Sequence, residues 1–87
     1  MPKVSVSPPL RGPTGGEAVV EVAGTSVRAC LEAVDALHPG FLGLVVGPDR
    51  AVHPFLKVFL NGEQVESLDG SVDAGDEIEV MAAVGGG

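Results

Sequence analysis

The chain has 87 residues, a net charge of −7 and an apolar fraction of 45%, enough for one domain with a single small core. The acidic balance excludes nucleic acid and anionic membrane as partners, because both call for clustered Lys and Arg. A lone cysteine, Cys30, rules out an internal disulfide and sets a reducing, cytoplasmic compartment as the expectation.

MPKVSVS lacks the apolar core of a signal peptide, and no run reaches membrane-spanning length. Within it, KVSVS alternates apolar and polar residues and predicts a strand with Val4 and Val6 on one face. PPLRGPTGG, rich in proline and glycine, predicts a turn or open loop. EAVVEV resumes the alternation, with Ala18, Val20 and Val22 inward and Glu17, Val19 and Glu21 outward, so the two strands suggest a hairpin.

The period then changes. Thr25 and Ser26 form a helix start signal, and Val27, Cys30, Leu31, Val34 and Leu37 fall at helical spacing. Arg28, Glu32 and Asp35 lie between them, on the solvent side, and Pro39-Gly40 stops the helix. The apolar FLGLVV fits one helical turn plugging the open end of the core, and GPDRAVHP is a loop.

FLKVFLNGEQV carries the clearest hairpin signal, alternating up to an Asn61-Gly62 turn. Its parity sends Leu56, Val58 and Leu60 to the core and Phe55, Lys57 and Phe59 the other way. DAGDEIEVMAAV gives a turn at Ala74-Gly75 and a last strand, with Ile78 and Val80 inward and Glu77, Glu79 and Met81 outward. The order is strand, strand, helix, strand, short strand, strand. One helix must cover one sheet face, because nothing else is available to bury it. The predicted fold is therefore α+β: a β-grasp, the ubiquitin architecture, with a mixed four- to five-stranded sheet packed on one helix. Its first and last strands lie side by side in the middle. Residues 1–84 are expected to form this domain and residues 85–87 a flexible glycine tail.

Nothing in the chain assembles an active site. Cys30 falls on the apolar stripe of the helix, where burial makes a thiol inert. His38 at a helix C-terminus and His53 in a loop have no Cys or carboxylate at ligand spacing, so no metal site is expected. Glu77 and Glu79 alternate along a solvated strand face. GPTGGE has no following Lys-Ser/Thr and is not a phosphate loop. What remains is the closing Gly85-Gly86-Gly87. In an arbitrary protein such a run is a disordered tail. Here it follows the last strand of a ubiquitin-like fold. Residues 82–87, if extended, reach about 20 Å, enough to thread a C-terminal carboxylate into another protein's active site. Side chains would obstruct a narrow channel and glycines do not.

The short first strand, GTSVRACLEAV, VFLNGEQV, AGDEIEVMAAV and the closing Gly86-Gly87 together resemble the ubiquitin-like sulfur carriers. That family includes the small molybdopterin-synthase subunit and the thiamine sulfur carrier. The resemblance covers essentially the whole chain, and PPLRGPTGGEAVVEVAG is most similar to the carriers that donate sulfur for cysteine biosynthesis. Ala82 stands where many members carry Pro, and Gly85 where Ala is common. The resemblance implies that the protein is a co-substrate rather than an enzyme and binds no cofactor of its own. An E1-like adenylating and sulfurtransferase enzyme uses ATP to adenylate the carboxylate of Gly87. Sulfide or a persulfide then displaces AMP, leaving a Gly87 thiocarboxylate that donates sulfur to a biosynthetic acceptor enzyme. The alternative is a protein modifier conjugated through Gly87, with Lys3 and Lys57 as the only lysines for chain extension. A third reading is a plain interaction domain with an inert tail.

Such a carrier, monomeric when free, must dock on two enzymes in turn. Strand parity places Phe59 and Met81 on the outer sheet face, with Phe55 and Val19 extending the patch and Glu77, Glu79 and Glu21 at its rim. The competing expectation is that Phe59 packs under FLGLVV or a loop.

Overall fold

Alternating burial lays down the centre of the sheet. In the computed structural model, which describes residues 1–12 and 14–82, Val4 and Val6 of β1 (Lys3–Val6) and Ile78 and Val80 of β5 (Glu77–Ala82) are fully buried. These two strands pair in parallel, with Val4 opposite Ile78 and Val6 opposite Val80. On the other edge of β5, β3 (Leu56–Leu60) runs antiparallel with Val58 opposite Val80. Two short strands, β2 (Val19–Glu21) and β4 (Glu63–Val65), flank this trio in the order β2-β1-β5-β3-β4. The residues between the buried ones face the opposite side. The result is the β-grasp architecture, with the first and last of these strands adjacent at its centre.

One helix covers the apolar face. In α1 (Val27–Leu37) the Ser26 hydroxyl accepts from the Ala29 N–H at 3.0 Å, satisfying a first-turn donor. Val27, Cys30, Leu31 and Val34 bury against the sheet. Leu37, expected on this stripe, is 61% exposed. Leu37 is the last residue of α1, and the next buried side chain along the chain is Phe41 of α2 (Phe41–Val45), which is buried with Val45. The apolar FLGLVV segment is thus a helical turn closing the core. Asp35, expected on the solvent side, is half-buried: its Oδ1 accepts from the N–H groups of Gly40 (3.1 Å) and Leu42 (3.0 Å) and ties α2 to α1. Gly40 sits at φ +104°, a conformation that favours glycine.

One more expectation changes at the second strand. Pairing with β1 ends at Ser5 opposite Val19, so the alternation starts later than predicted and Ala18 is exposed, while Val20 and Val22 are buried. Of the two forms expected for the proline- and glycine-rich segment before it, a turn or an open loop, the structure shows turns. Pro8–Leu10 form a 3₁₀ turn with Leu10 buried, and the buried Thr14 hydroxyl lies 2.9 Å from the Glu17 carbonyl and 3.1 Å from that of Arg11.

The β3–β4 hairpin turns at Asn61 (φ +52°) and Gly62 (φ +84°), as its sequence predicts. The Asn61 side chain accepts from the Glu77 N–H at 3.0 Å and donates to Asp76 Oδ1 at 3.1 Å. The Asp76 carboxylate also accepts from the Asp73 N–H at 2.8 Å, and this bond first, then that from Asn61, holds its pKa below the usual carboxylate value. A carboxylate whose folded pKa lies below its unfolded one stabilises the fold above the unfolded value, about 3.9. That contribution is lost as pH falls through the folded value. The Asp76→Asn variant is therefore expected to have a lower urea midpoint than the parent at neutral pH, with the two midpoints converging below about pH 4. A gap that stayed constant into acid would show that ionisation of Asp76 contributes nothing.

Candidate functional site

The end of β5 is held from both sides. Ser7 donates its N–H to the Val80 carbonyl at 3.0 Å, and its hydroxyl accepts from the Ala82 N–H at 3.3 Å. Across the other edge Leu56 stands opposite Ala82. The candidate carrier atom at Gly87, with Gly86 and Gly85, lies outside the described residues. The described chain ends on this strand, which is paired with β1 on one side and β3 on the other.

The outer sheet face surrounding that point follows from the strand registers. Val19 is opposite Ser5, Ser5 opposite Glu79, and Glu79 opposite Phe59, forming one row across β2, β1, β5 and β3. In the next row Met81 is opposite Lys57. Phe59 is half-buried and diagonal to Met81, which is 42% exposed, so the structure brings these two together. Val19, also exposed, is separated from them by Ser5 and Glu79. Phe55 precedes β3, is 69% exposed and lies beside the His53 ring at 5.4 Å between centroids. The predicted rim is divided: Lys3 stands between Glu21 and Glu77, whereas Glu79 sits inside the patch, beside Phe59. A hollow of about 200 Å³ opens between Ser5, Ser7, Glu79 and Met81. Sequence reasoning passed over Ser7; the outward parity of Ser5 and Ser7 in KVSVS was the only signal for it.

The other candidate groups serve packing. Cys30 is fully buried, and a Cβ added to Gly24 would come within 2.8 Å of its Sγ, so thiol and glycine backbone fit against each other. Burial pushes the Cys30 thiol pKa up, away from the nucleophilic thiolate. His38 Nε2 lies 3.6 Å from Glu17 Oε2, and His53 Nδ1 accepts from the Phe55 N–H at 3.4 Å. Among the described residues no three His, Cys, Asp or Glu side chains gather to hold a metal ion, and no helix is long and apolar enough to cross a membrane.

Comparison with known proteins agrees with this architecture. The chain is 29% identical to the sulfur carrier protein CysO of Mycobacterium tuberculosis over 89 residues, covering 97% of this chain and 96% of that one. Among solved structures it matches a chain of the Amycolatopsis orientalis BexX/CysO complex with a TM-score of 0.92 and 33% identity, over 100% of both chains. It also matches SAMP1 from Haloferax volcanii with a TM-score of 0.77 and 28% identity, over 99% of this chain and 98% of that one. The ThiS family model matches residues 9–87, running from the 3₁₀ turn after β1 through α1 and the other four strands to the third glycine, and the chain belongs to the ThiS family.

Proposed function

We propose that the protein is a cytoplasmic sulfur carrier whose working group is the carboxylate of Gly87. The observation that carries this reading is the continuity of the family match from the first turn, through a last strand clamped by Ser7 and Leu56, into Gly85-Gly86-Gly87. A rigid body followed by a side-chain-free segment suits delivery of one carboxylate to a recessed active site. An E1-like enzyme spends ATP to form the acyl-adenylate, a sulfur nucleophile attacks the carbonyl, and AMP leaves with the C–O bond. The resulting thiocarboxylate passes its sulfur to an acceptor enzyme in the formation of cysteine or another sulfur-containing metabolite or cofactor. In this chemistry the carrier supplies no acid, base or metal and is a co-substrate, with no cofactor bound. Phe59 and Met81, with Phe55 beyond them, form the docking surface for both enzymes, and the −7 charge favours partners with basic surfaces.

Incubation with the activating enzyme, ATP and sulfide is expected to replace one oxygen by sulfur, read by intact-protein mass spectrometry. A chain extended by one residue beyond Gly87 is expected to fold normally and to remain unloaded. Loading of the extended chain would overturn the assignment of Gly87.

A second reading, conjugation to other proteins through Gly87, is favoured by the likeness to SAMP1, whose name is small archaeal modifier protein 1. Immunoblots of cell extract separate the two: a ladder of higher masses marks a modifier, and a single free band a carrier.

A further inference from the structure

The turn that joins β3 to β4 is built from Asn61 and Gly62, and Asn61 is the only asparagine in the chain. Both residues are exposed, and both stand at the positive φ for which Asn-Gly is favoured in two-residue hairpins. The same pair is prone to internal attack on the side-chain amide, because glycine puts no side chain in the way of its own nitrogen. Here the carboxamide is not free. Its Oδ1 accepts from the Glu77 N–H at 3.0 Å, and its Nδ2 donates to Asp76 Oδ1 at 3.1 Å. The Asn61 N–H donates in turn to the Glu77 carbonyl at 2.8 Å. Asp76 is itself fixed by the bond from the Asp73 N–H to its Oδ2 at 2.8 Å. Both heteroatoms of the carboxamide are thus tied to the start of β5. Ring closure needs that group free to rotate and present Cγ to the Gly62 nitrogen, and the two ties oppose the rotation.

We propose that Asn61 is a deamidation site held shut by the latch from Asp76 and Glu77, so that opening of this corner of the sheet converts it to aspartate and isoaspartate. The Gly62 nitrogen attacks Cγ and the N–C bond forms. The Cγ–Nδ2 bond breaks, and Nδ2 leaves as ammonia with the proton lost by the Gly62 nitrogen. Water then opens the five-membered imide. Cleavage at Cγ leaves aspartate, and cleavage at the backbone carbonyl leaves isoaspartate, whose main chain runs through Cβ. No oxidant or reductant takes part. Aspartate at this position sets a second carboxylate against that of Asp76, a like-charge pair. Isoaspartate lengthens a two-residue turn by one atom, and the turn fixes the register that pairs Phe59 with Gln64. Neither product keeps the Nδ2 donor, so the bond to Asp76 is not remade. A molecule that has once opened here is marked chemically, independently of anything at Gly87.

The full chain is held in mildly alkaline buffer, once folded and once in concentrated urea, and followed by intact-protein mass spectrometry. Deamidation adds one mass unit. Isomerisation at Asp69-Gly70 changes no mass, and the Gln64→Glu variant, which lacks the only other side-chain amide, is expected to react at the parent's rate. The folded parent is expected to react at least ~10-fold more slowly than the chain in urea, the factor for one hydrogen bond to a charged group. In Asp76→Ser the hydroxyl keeps an acceptor beside the Asp73 N–H and is too short for Asn61. That variant, shown to be folded by its thermal melt, is expected to react at least ~10-fold faster than the folded parent. A second reading needs no variant. Hydrogen exchange of the Glu77 amide in the parent should be slowed by a factor of the same order as deamidation, since one opening frees both groups. A folded parent that reacts as fast as the chain in urea would overturn the proposal. So would a folded Asp76→Ser variant as slow as the parent, or a Glu77 amide that exchanges freely while Asn61 stays intact.

Discussion

Phe41→Ala is expected to lower the stability of the domain by about 3–5 kcal/mol, the range for a buried Phe truncated to Ala. Phe41 is 1% exposed and is one of two buried residues in a five-residue helix, the other being Val45. A helix that short does not persist in water without tertiary anchoring. Its remaining ties are the buried Val45 side chain, the bonds from Gly40 and Leu42 to Asp35, and the bond from His53 N–H to the Val45 carbonyl. The variant therefore exposes the end of the core that α2 closes, including the Val34 side of α1. Small domains have about 5–15 kcal/mol in total, so the loss is a large share. At ~4–8 °C per kcal/mol the thermal midpoint falls by at least ~12 °C. Leu44→Ala, on the exposed side of the same helix, is the control and is expected to cost below about 1 kcal/mol. Thermal and urea melts read both. A Phe41→Ala variant that melts with the parent would mean that α2 does not close the core.

The double replacement Phe59→Ala and Met81→Ala is expected to act on binding and spare the fold. Phe59 is half-buried on the face away from α1 and is not among the residues packed against the core. Met81 shares that face across one strand boundary. Central apolar anchors of protein interfaces cost about 2 kcal/mol or more when truncated, about 30-fold in Kd at this lower bound. The affinity of the double variant for the activating enzyme should fall by at least that factor, measured by calorimetry, with its thermal midpoint close to the parent's. Val19→Ala is expected to leave affinity nearly unchanged, because Ser5 and Glu79 lie between Val19 and Phe59. A double variant that melts several kcal/mol early would assign Phe59 to the core and refute its docking role.

The strands and the helix were legible because each is written in a single period. Two-residue alternation marked Val4, Val6, Val58, Ile78 and Val80, and the step of three or four marked Val27, Cys30, Leu31 and Val34. What escaped depends on contacts that leave no periodic trace. The Asp35 carboxylate reaches past the end of its own helix to the backbone of the next, and the Thr14 hydroxyl closes a loop that composition alone leaves open. Leu37 escaped because it ends its helix, and the next buried side chain belongs to α2. The outer face was legible by parity, residue by residue. Its lateral arrangement was not. Glu79 meets Phe59, and Lys57 meets Met81, through a register between strands some twenty residues apart, and no local pattern encodes that register.

The parallel pairing of β1 with β5 also decides how the domain answers a mechanical pull. Tension applied between Lys3 and Ala82 runs along both central strands in opposite senses and loads their junction as a lap joint. The bonds from Lys3 to Asp76, along the β1–β5 ladder, and from Ser7 to Val80 then share the force and must break together. Tension between the short outer strands β2 and β4 would instead peel the sheet one bond at a time. A pull applied beyond Ala82 would act on the strand flanked on both sides, so the body would resist unravelling along that axis.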